Sequence, residues 1–175
     1  MIKSIYNLVF ITIFFLNFNL LKADESISYV DMELLMNTSE AGKSIASQLT
    51  VIHRKTTAEL KIIEEELKKE ESDLIKQKNV TSKEEFEKKL SLLRNKASDY
   101  QKQRNKSNDS INKKRLDATS ELVSLIQPIL AQYANNNSIS IIFQKKNIII
   151  GKTELDITED ILKILNENHK KIAIN

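Results

Sequence analysis

Two runs of apolar residues, spaced mostly three and four apart, constrain this chain more than any other feature. Such spacing places the apolar side chains on one narrow face of a helix. The first run comprises Ile45, Leu49, Ile52, Leu60, Ile63, Leu67 and Leu74, and the second comprises Phe86, Leu90, Leu93, Ala97, Tyr100, Ile111, Ala118, Leu122, Leu125, Ile129 and Tyr133. At 1.5 Å per residue, the two helices would be roughly 60 and 80 Å long. Joined by a short turn, they form an antiparallel hairpin that must protrude as an arm.

The turn and the facing layers of this hairpin follow from the same pattern. Ser82 and Glu85 form a capping box that predicts the start of the second helix, and Pro128 should kink that helix because it removes a backbone donor. Folding about Val80 brings together Leu74 with Phe86, Leu67 with Leu93, Leu60 with Tyr100, Thr56 with Arg104, and Ile52 with Asn108. The last two pairs form a polar layer with two interpretations: a coiled coil that tolerates it, or a weak point where the arm can bend.

The remaining residues predict a small body that holds the arm. A short strand starts at Ser26, and ISIIFQKKNIIIG (139–151) predicts two more strands around Lys145–Asn147. Apolar residues occupy both faces of this sheet, with Ile139, Ile141 and Phe143 on one face and Ile142 and Ile149 on the other. A sheet that is apolar on both sides must be covered on both sides.

Two covers are available for this sheet. One is a last helix over DITEDILKIL (156–165), for which Asp156 is the predicted N-cap and Glu159 completes a capping-box-like pattern. The other is most simply a second copy of the chain, so we expect oligomerisation through Ile139, Ile141, Phe143, Ile148 and Ile150. The predicted fold class is α+β and predominantly helical, with residues 24–42 and 135–175 as a β-rich oligomerisation body and 43–134 as the coiled-coil-like arm.

Residues 1–23 predict a secretory signal peptide, with Lys3 before an apolar stretch from Leu8 to Leu21 and Ala23 at the cleavage point. The alternative is a membrane anchor, but this stretch is shorter than the roughly 20 residues that a spanning helix needs. Cleavage removes two lysines from a formal charge of +3, and a charge near zero argues against a nucleic-acid binder. The absence of cysteine excludes a disulfide framework.

Enzyme chemistry has no sequence support. His53 and His169 lie far apart without ligand spacing, and two glycines are too few for a Gly-rich phosphate loop. No catalytic constellation is found either, so we expect neither an enzyme nor a cofactor or metal site.

Several short motifs resemble the Skp/OmpH family of periplasmic chaperones. They are YVDMELL, SEAGKSIASQL, the helical hairpin with Pro128 near its end, IIFQKKNIII and DITEDILKILN, in that order. The resemblance implies a periplasmic homotrimer, with three arms projecting from a small β-rich body around a cavity. It implies an ATP-independent holdase that binds unfolded outer-membrane proteins, and weak contact with anionic lipid or lipopolysaccharide as a secondary property. The alternative is a structural coiled-coil hairpin that docks onto an envelope complex.

A basic stretch on the second helix is the predicted client-binding surface. Its members are Lys88, Lys89, Arg94, Lys96, Lys102, Arg104, Lys106, Lys113, Lys114 and Arg115, opposed locally only by Asp99 and Asp109. One interpretation is a solvated surface whose charges pair with acids across the hairpin. The other is a cavity lining that attracts acidic unfolded proteins weakly and without sequence specificity.

Overall fold

A computed structural model describes residues 26–174. The order is β1 (Ser26–Val30), α1 (Met32–Thr38), α2 (Glu40–Gln77), α3 (Lys83–Asn136), β2 (Ile139–Gln144) and α4 (Thr158–Asn168), with short 3-10 turns at Lys145–Asn147 and Thr153–Leu155. The predicted signal peptide, residues 1–23, lies outside the described residues.

The predicted helical hairpin is confirmed by α2 and α3. These helices contain 38 and 54 residues, or about 57 and 81 Å at 1.5 Å per residue. Each begins at a serine whose Oγ accepts a backbone N–H three residues on: Ser39 from Gly42 at 3.1 Å and Ser82 from Glu85 at 3.3 Å. Pro128 lies inside α3, which continues to Asn136.

The sheet differs from the prediction. It has two strands, and β1 pairs with β2 in parallel. The strand predicted after Lys145–Asn147 is wrong: Ile148–Ile150 forms no strand, and Ile149 and Ile150 are 99% and 90% exposed. The partner of β2 is the distant β1, and parallel strands require a long crossover, which here is the whole hairpin.

An irregularity in this pairing also corrects the face predicted for Ile139. Ser26 lies opposite Ile139, but Ile27 lies opposite Ile141, so Ser140 is an extra residue in β2. One extra residue reverses the side-chain alternation of a strand. Ile139 therefore packs against the core together with Ile142, whereas Ile141 and Phe143 point outward, about half exposed.

The hydrophobic core lies where the body meets the base of the hairpin. Its fully buried side chains are Leu35, Leu122, Ile126, Ile161 and Leu165, and Val30, Ile45, Leu49 and Ala118 belong to the same cluster. Helix α4 is thus the predicted cover for one side of the sheet. Beyond this core, residues 50–73 and 83–110 contain no buried side chain, so the arm extends from Leu49 and Ile111 outward.

Helix α1 was missed by sequence reasoning, although its N-cap could have revealed it. Asp31 accepts the N–H of Leu34 at 2.9 Å, and Leu35 is fully buried. The chain then turns sharply into α2 at Ser39, which brings the carbonyl oxygen of Met36 against Gly42.

The motifs that are separated in sequence meet in one hydrogen-bonded joint. Ile157 donates its N–H to the carbonyl oxygen of Tyr29 at 3.0 Å, and Asp31 donates its N–H to Thr158 Oγ1 at 2.8 Å. Glu40, in the first turn of α2, donates its N–H to Asn166 Oδ1 of α4 at 2.8 Å. These bonds fasten β1 and the start of the arm to the last helix.

Asp156 organises this joint through both carboxylate oxygens. Oδ1 accepts the Thr158 N–H at 3.0 Å and the Thr158 hydroxyl, and Oδ2 accepts from Lys145 Nζ at 2.8 Å. Partial burial raises the pKa of Asp156, but the bonds from Lys145 and Thr158 outweigh it and hold the pKa below its usual value. The predicted N-cap is wrong by one position: Ile157 precedes the first residue of α4, and no side chain caps this helix. The predicted return contact of Glu159 is also wrong, because the Asp156 N–H donates to the Thr153 carbonyl oxygen instead.

Replacing Asp156 with Asn should make the free energy of unfolding less dependent on pH in acid. Folding lowers the pKa of Asp156, so its stabilising contribution is present above the unfolded-state pKa and is lost as the pH falls through the folded-state pKa. Urea unfolding of the parent and Asp156→Asn between about pH 7 and pH 2 measures this. Asp109→Asn, an exposed site on the arm, is the control; identical profiles for the two variants would contradict the assignment.

Replacing Gly42 with Ala should destabilise the protein by about 1–3 kcal/mol, although Ala is the better helix former. A Cβ at Gly42 would lie 1.9 Å from the carbonyl oxygen of Met36, so the α1–α2 turn would have to move. Urea unfolding measures the loss, and Lys43→Ala at the exposed next position should change little. A Gly42→Ala protein as stable as the parent would show that the turn relaxes without cost.

Candidate functional site

The predicted basic stretch, called the basic stripe below, runs along the length of α3, and its residues are distributed around the helix. Eight of its ten residues are exposed, and Lys89 and Lys114 are half-buried. The stripe runs from near the tip of the arm to its base, where Arg115 borders an apolar cleft.

Few of these cations are neutralised by acids. Lys89 pairs with Glu85 at 2.9 Å, Lys96 with Glu70 at 2.6 Å and Lys102 with Asp99 at 3.0 Å. Only the Lys96–Glu70 pair crosses the hairpin among residues 26–174. Within the same described range, no ion pair within 4.0 Å is formed by Lys88, Arg94, Arg104, Lys106, Lys113 or Arg115. Pairing across the hairpin therefore accounts for little of the basic excess.

Polar contacts join the helices of the arm beside a partly buried apolar seam that includes Leu67, Leu74 and Leu93. Tyr100 Oη donates to Glu64 Oε2 at 3.3 Å, and Lys89 Nζ donates to Gln77 Oε1 at 2.9 Å. Tyr100, predicted opposite Leu60, reaches Glu64 about one turn nearer the tip. This offset is expected because helical side chains lean toward the N-terminus of their own helix.

Glu64 lies beside the predicted polar layer, within electrostatic reach of Arg104. Lys68 Nζ donates to it at 2.5 Å, and this bond lowers the pKa of Glu64 and raises that of Lys68. Arg104 lies near enough to lower the pKa of Glu64 further. The layer borders an open groove of about 490 Å³, and its lining includes Thr57 and Asn108. Few buried apolar contacts indicate low local stability, which favours a weak point over a tightly packed coiled coil.

The outer face of the sheet is an exposed apolar surface. Ile27, Ile141 and Phe143 are 47%, 49% and 45% exposed. The following loop covers Tyr29 instead: Tyr29 Oη donates to the Lys152 carbonyl oxygen at 3.2 Å, and a Cβ at Gly151 would lie 2.9 Å from the Tyr29 ring.

The residues predicted to mediate oligomerisation are distributed over two environments. Ile141, Phe143 and Ile150 are exposed, Ile148 is half-buried, and Ile139 packs into the core. Ile27, which sequence reasoning left out of this set, lies beside Ile141 on the outer face. Its alternation with Tyr29 is the signal that could have revealed it.

An apolar cleft of about 670 Å³ between α1 and the base of the arm was not predicted, because α1 was missed. Its lining includes Met36, Ile45, Leu49 and Ile111, with Arg115 among the polar residues. Apolar contact and a cation are therefore available together at the base of the arm.

Residues 26–174 contain no cluster of three or more His, Cys, Asp or Glu residues that could hold a metal ion. Over the same range, no helix has the length and apolar character needed to cross a membrane.

Comparison with known proteins identifies the family. The model of the outer membrane protein (OmpH-like) family matches residues 26–165, which include both strands, the whole arm and most of α4. The chain belongs to this family. A comparison with curated protein sequences finds no match.

A solved structure shares the fold. A candidate outer membrane chaperone (OmpH-like) from Caulobacter crescentus CB15 superimposes with a TM-score of 0.81 at 17% sequence identity. The match covers 86% of this chain and 89% of that chain. The body with its long helical hairpin is therefore an OmpH-like architecture, retained at low sequence identity.

Proposed function

We propose that this OmpH-like protein is an ATP-independent holdase chaperone of the periplasm, which binds unfolded outer-membrane proteins between its arms and prevents their aggregation. The observation that carries the proposal is the exposed basic stripe on a protruding arm, most of which has no acidic partner. The Caulobacter crescentus relative, itself a candidate outer membrane chaperone, supports the same role.

The charges of the stripe suit weak and reversible binding. Exposed cations attract acidic polypeptides over roughly a Debye length and require no particular sequence. Each contact is weak, but several contacts within one cavity raise the effective concentration for the next. The cleft between Met36 and Ile111 adds apolar contact at the base of the arm. A client would be held by many contacts without being fixed in one conformation.

The cavity requires several arms, and the outer face of the sheet supplies a surface on which copies can assemble. Ile27, Ile141 and Phe143 expose apolar side chains that a neighbouring copy would cover. Three copies related by rotation would form a closed ring, as in heterologous cyclic assemblies. We therefore place the trimer interface at this face, with Ile150 at its edge.

A second candidate function is a structural hairpin that docks onto one envelope complex. The length of α3 favours it, because a long exposed helix can span between partners. Such a scaffold would bind one partner stoichiometrically and would not affect aggregation. Contact of the basic stripe with anionic lipid or lipopolysaccharide would be secondary, and we propose no nucleic-acid partner.

The proposed function is tested directly by diluting a denatured outer-membrane β-barrel protein into buffer without nucleotide. The protein should suppress light scattering by the aggregating β-barrel at near-stoichiometric amounts of trimer. Unchanged scattering would support the scaffold instead.

Neutralising the basic stripe near the base of the arm should weaken client binding about tenfold, or ~1.4 kcal/mol. The six changes are Lys102, Arg104, Lys106, Lys113, Lys114 and Arg115 to Gln, which preserves helix propensity. Fluorescence anisotropy of a labelled, denatured β-barrel measures the affinity, and circular dichroism verifies the helices. Binding by the parent should also weaken with salt, since the Debye length falls from about 10 Å at 0.1 M to about 3 Å at 1 M.

A matched control removes six cations from α2, the turn and the first position of α3: Lys61, Lys68, Lys69, Lys76, Lys78 and Lys83 to Gln. The two variants have the same net charge, so only the position of the charges differs. Equal losses of affinity would show that net charge alone matters. Unchanged affinity in the α3 variant would contradict the role of the stripe.

Replacing Ile141 with Asp should dissociate the trimer while the chain stays folded. Ile141 is 49% exposed in the single chain, so Asp there is solvated in a monomer but would be buried and unpaired in the assembly. Light scattering coupled to size exclusion measures the mass. Asn147→Asp adds the same charge at an exposed position next to the sheet and should leave the mass unchanged. An Ile141→Asp trimer would place the interface elsewhere.

A further inference from the structure

The segment after α4 packs back onto the base of the arm. It comprises His169–Ile174, forms neither helix nor strand, and lies across α2 and α3. Ile172 is 2% exposed and belongs to the core cluster, Ala173 is exposed, and Ile174 is half-buried against the same cluster. The tail thus presents two apolar side chains, two residues apart, to the rest of the protein.

A single side chain of α2 binds the backbone of this tail. Gln48 Nε2 donates to the carbonyl oxygen of Ile172 at 2.6 Å, and the N–H of Ile174 donates to Gln48 Oε1 at 3.1 Å. A residue of a parallel β-strand bonds its neighbour in the same way, accepting from one peptide group and donating to another two positions away. Ser44 Oγ, 3.1 Å from the same Nε2, orients the amide.

The contacts recognise an extended backbone with alternating apolar residues and not a particular sequence. The bonds between Gln48 and the tail involve backbone atoms of the tail alone, and the side chains that pack against the core here are two isoleucines. Beside the tail lies a cavity of about 220 Å³, whose lining includes Lys114, Ala118 and Ala173. The tail lies against α2 and α3 in a groove. The residues of α2 and α3 that form this groove lie within the family-matched residues 26–165, whereas the tail lies beyond them.

We propose that this groove is a binding site for extended segments of unfolded clients, and that the tail is its intramolecular occupant, which a client displaces. The inference rests on the proposed holdase function and deepens it. Strands of outer-membrane β-barrels place apolar side chains two residues apart on one face, the spacing of Ile172 and Ile174 in the tail. Lys114, at the basal end of the stripe, borders the cavity beside the tail, together with the acidic residues Asp117 and Glu121.

The tail is suited to displacement because little holds it. One buried side chain, one half-buried side chain, one hydrogen bond donated by Gln48 and one accepted by it fix the last three described residues. An extended client segment can replace each of these contacts. Because the client forms the same kinds of contact that the tail gives up, binding can remain reversible.

Hydrogen–deuterium exchange on the unmodified, full-length protein tests the displacement. Adding a denatured outer-membrane β-barrel should raise exchange at least tenfold at the amide of Ile174, while the amides of Ile45 and Leu49 in α2 stay protected. Continued protection of Ile174 with saturating client bound would overturn the inference. Loss of protection at all three amides would show general loosening of the body and would also overturn it.

A double variant tests the groove itself. Ile172→Ser with Ile174→Ser should release the tail, so that a fluorescein-labelled peptide of residues 166–174 binds at least tenfold more tightly than to the parent. Asn168→Ser with Ala173→Ser alters two exposed positions in the same segment and should bind the peptide like the parent. Adding Gln48→Leu to the released variant should abolish the gain. Equal binding by parent and released variant would overturn the proposal, and the exchange experiment decides if the variant does not fold.

The outcomes separate this inference from the holdase function. Suppressed aggregation with a protected tail means that the chaperone function stands and the groove is a structural packing site. Peptide binding to the released variant without suppressed aggregation means that the groove exists but the holdase function fails.

Discussion

The parallel pairing of β1 with β2 is the constraint on which the rest of the structure depends. Two parallel strands cannot be joined by a tight turn, and here the connection between them is the entire arm. The base of the arm is therefore closed by the sheet, by the bond from Ile157 to Tyr29 and by the bond from Glu40 to Asn166. Everything beyond Leu49 and Ile111 is free to project because these contacts hold its two ends together.

The buried core and most of the exposed cations lie in different parts of the molecule. Buried side chains such as Leu35, Ile126 and Leu165 concentrate at the base, whereas residues 50–73 and 83–110 bury none. An arm held by polar contacts such as Tyr100–Glu64 contributes little to the core but keeps its cations in water. Strong ion pairing across the hairpin would neutralise the basic stripe. The composition of the arm therefore has two consequences, which are weak packing between its helices and an open basic surface.

The base of the arm combines several features that the proposed holdase would use. The basic residues from Lys113 to Arg115, the cleft lined by Met36 and Ile111, and the groove occupied by the tail all lie there. The basic residues attract an acidic segment from a distance, whereas the apolar side chains and the Gln48 amide bind it only on contact. Together they would attract an extended segment first and bind its backbone afterwards.

The sequence by itself determined the helical hairpin, the basic stretch on α3, and the helix that begins after Asp156. Each is a local pattern: a three- and four-residue periodicity, a density of Lys and Arg, or a cap next to an apolar run. Only the tertiary structure decided that β2 pairs with β1, that Ser140 turns Ile139 into the core, and that Gln48 binds the tail. These features depend on contacts between residues more than a hundred positions apart. An apolar run such as Ile148–Ile150 contains no local signal that tells which distant strand, if any, its backbone will pair with.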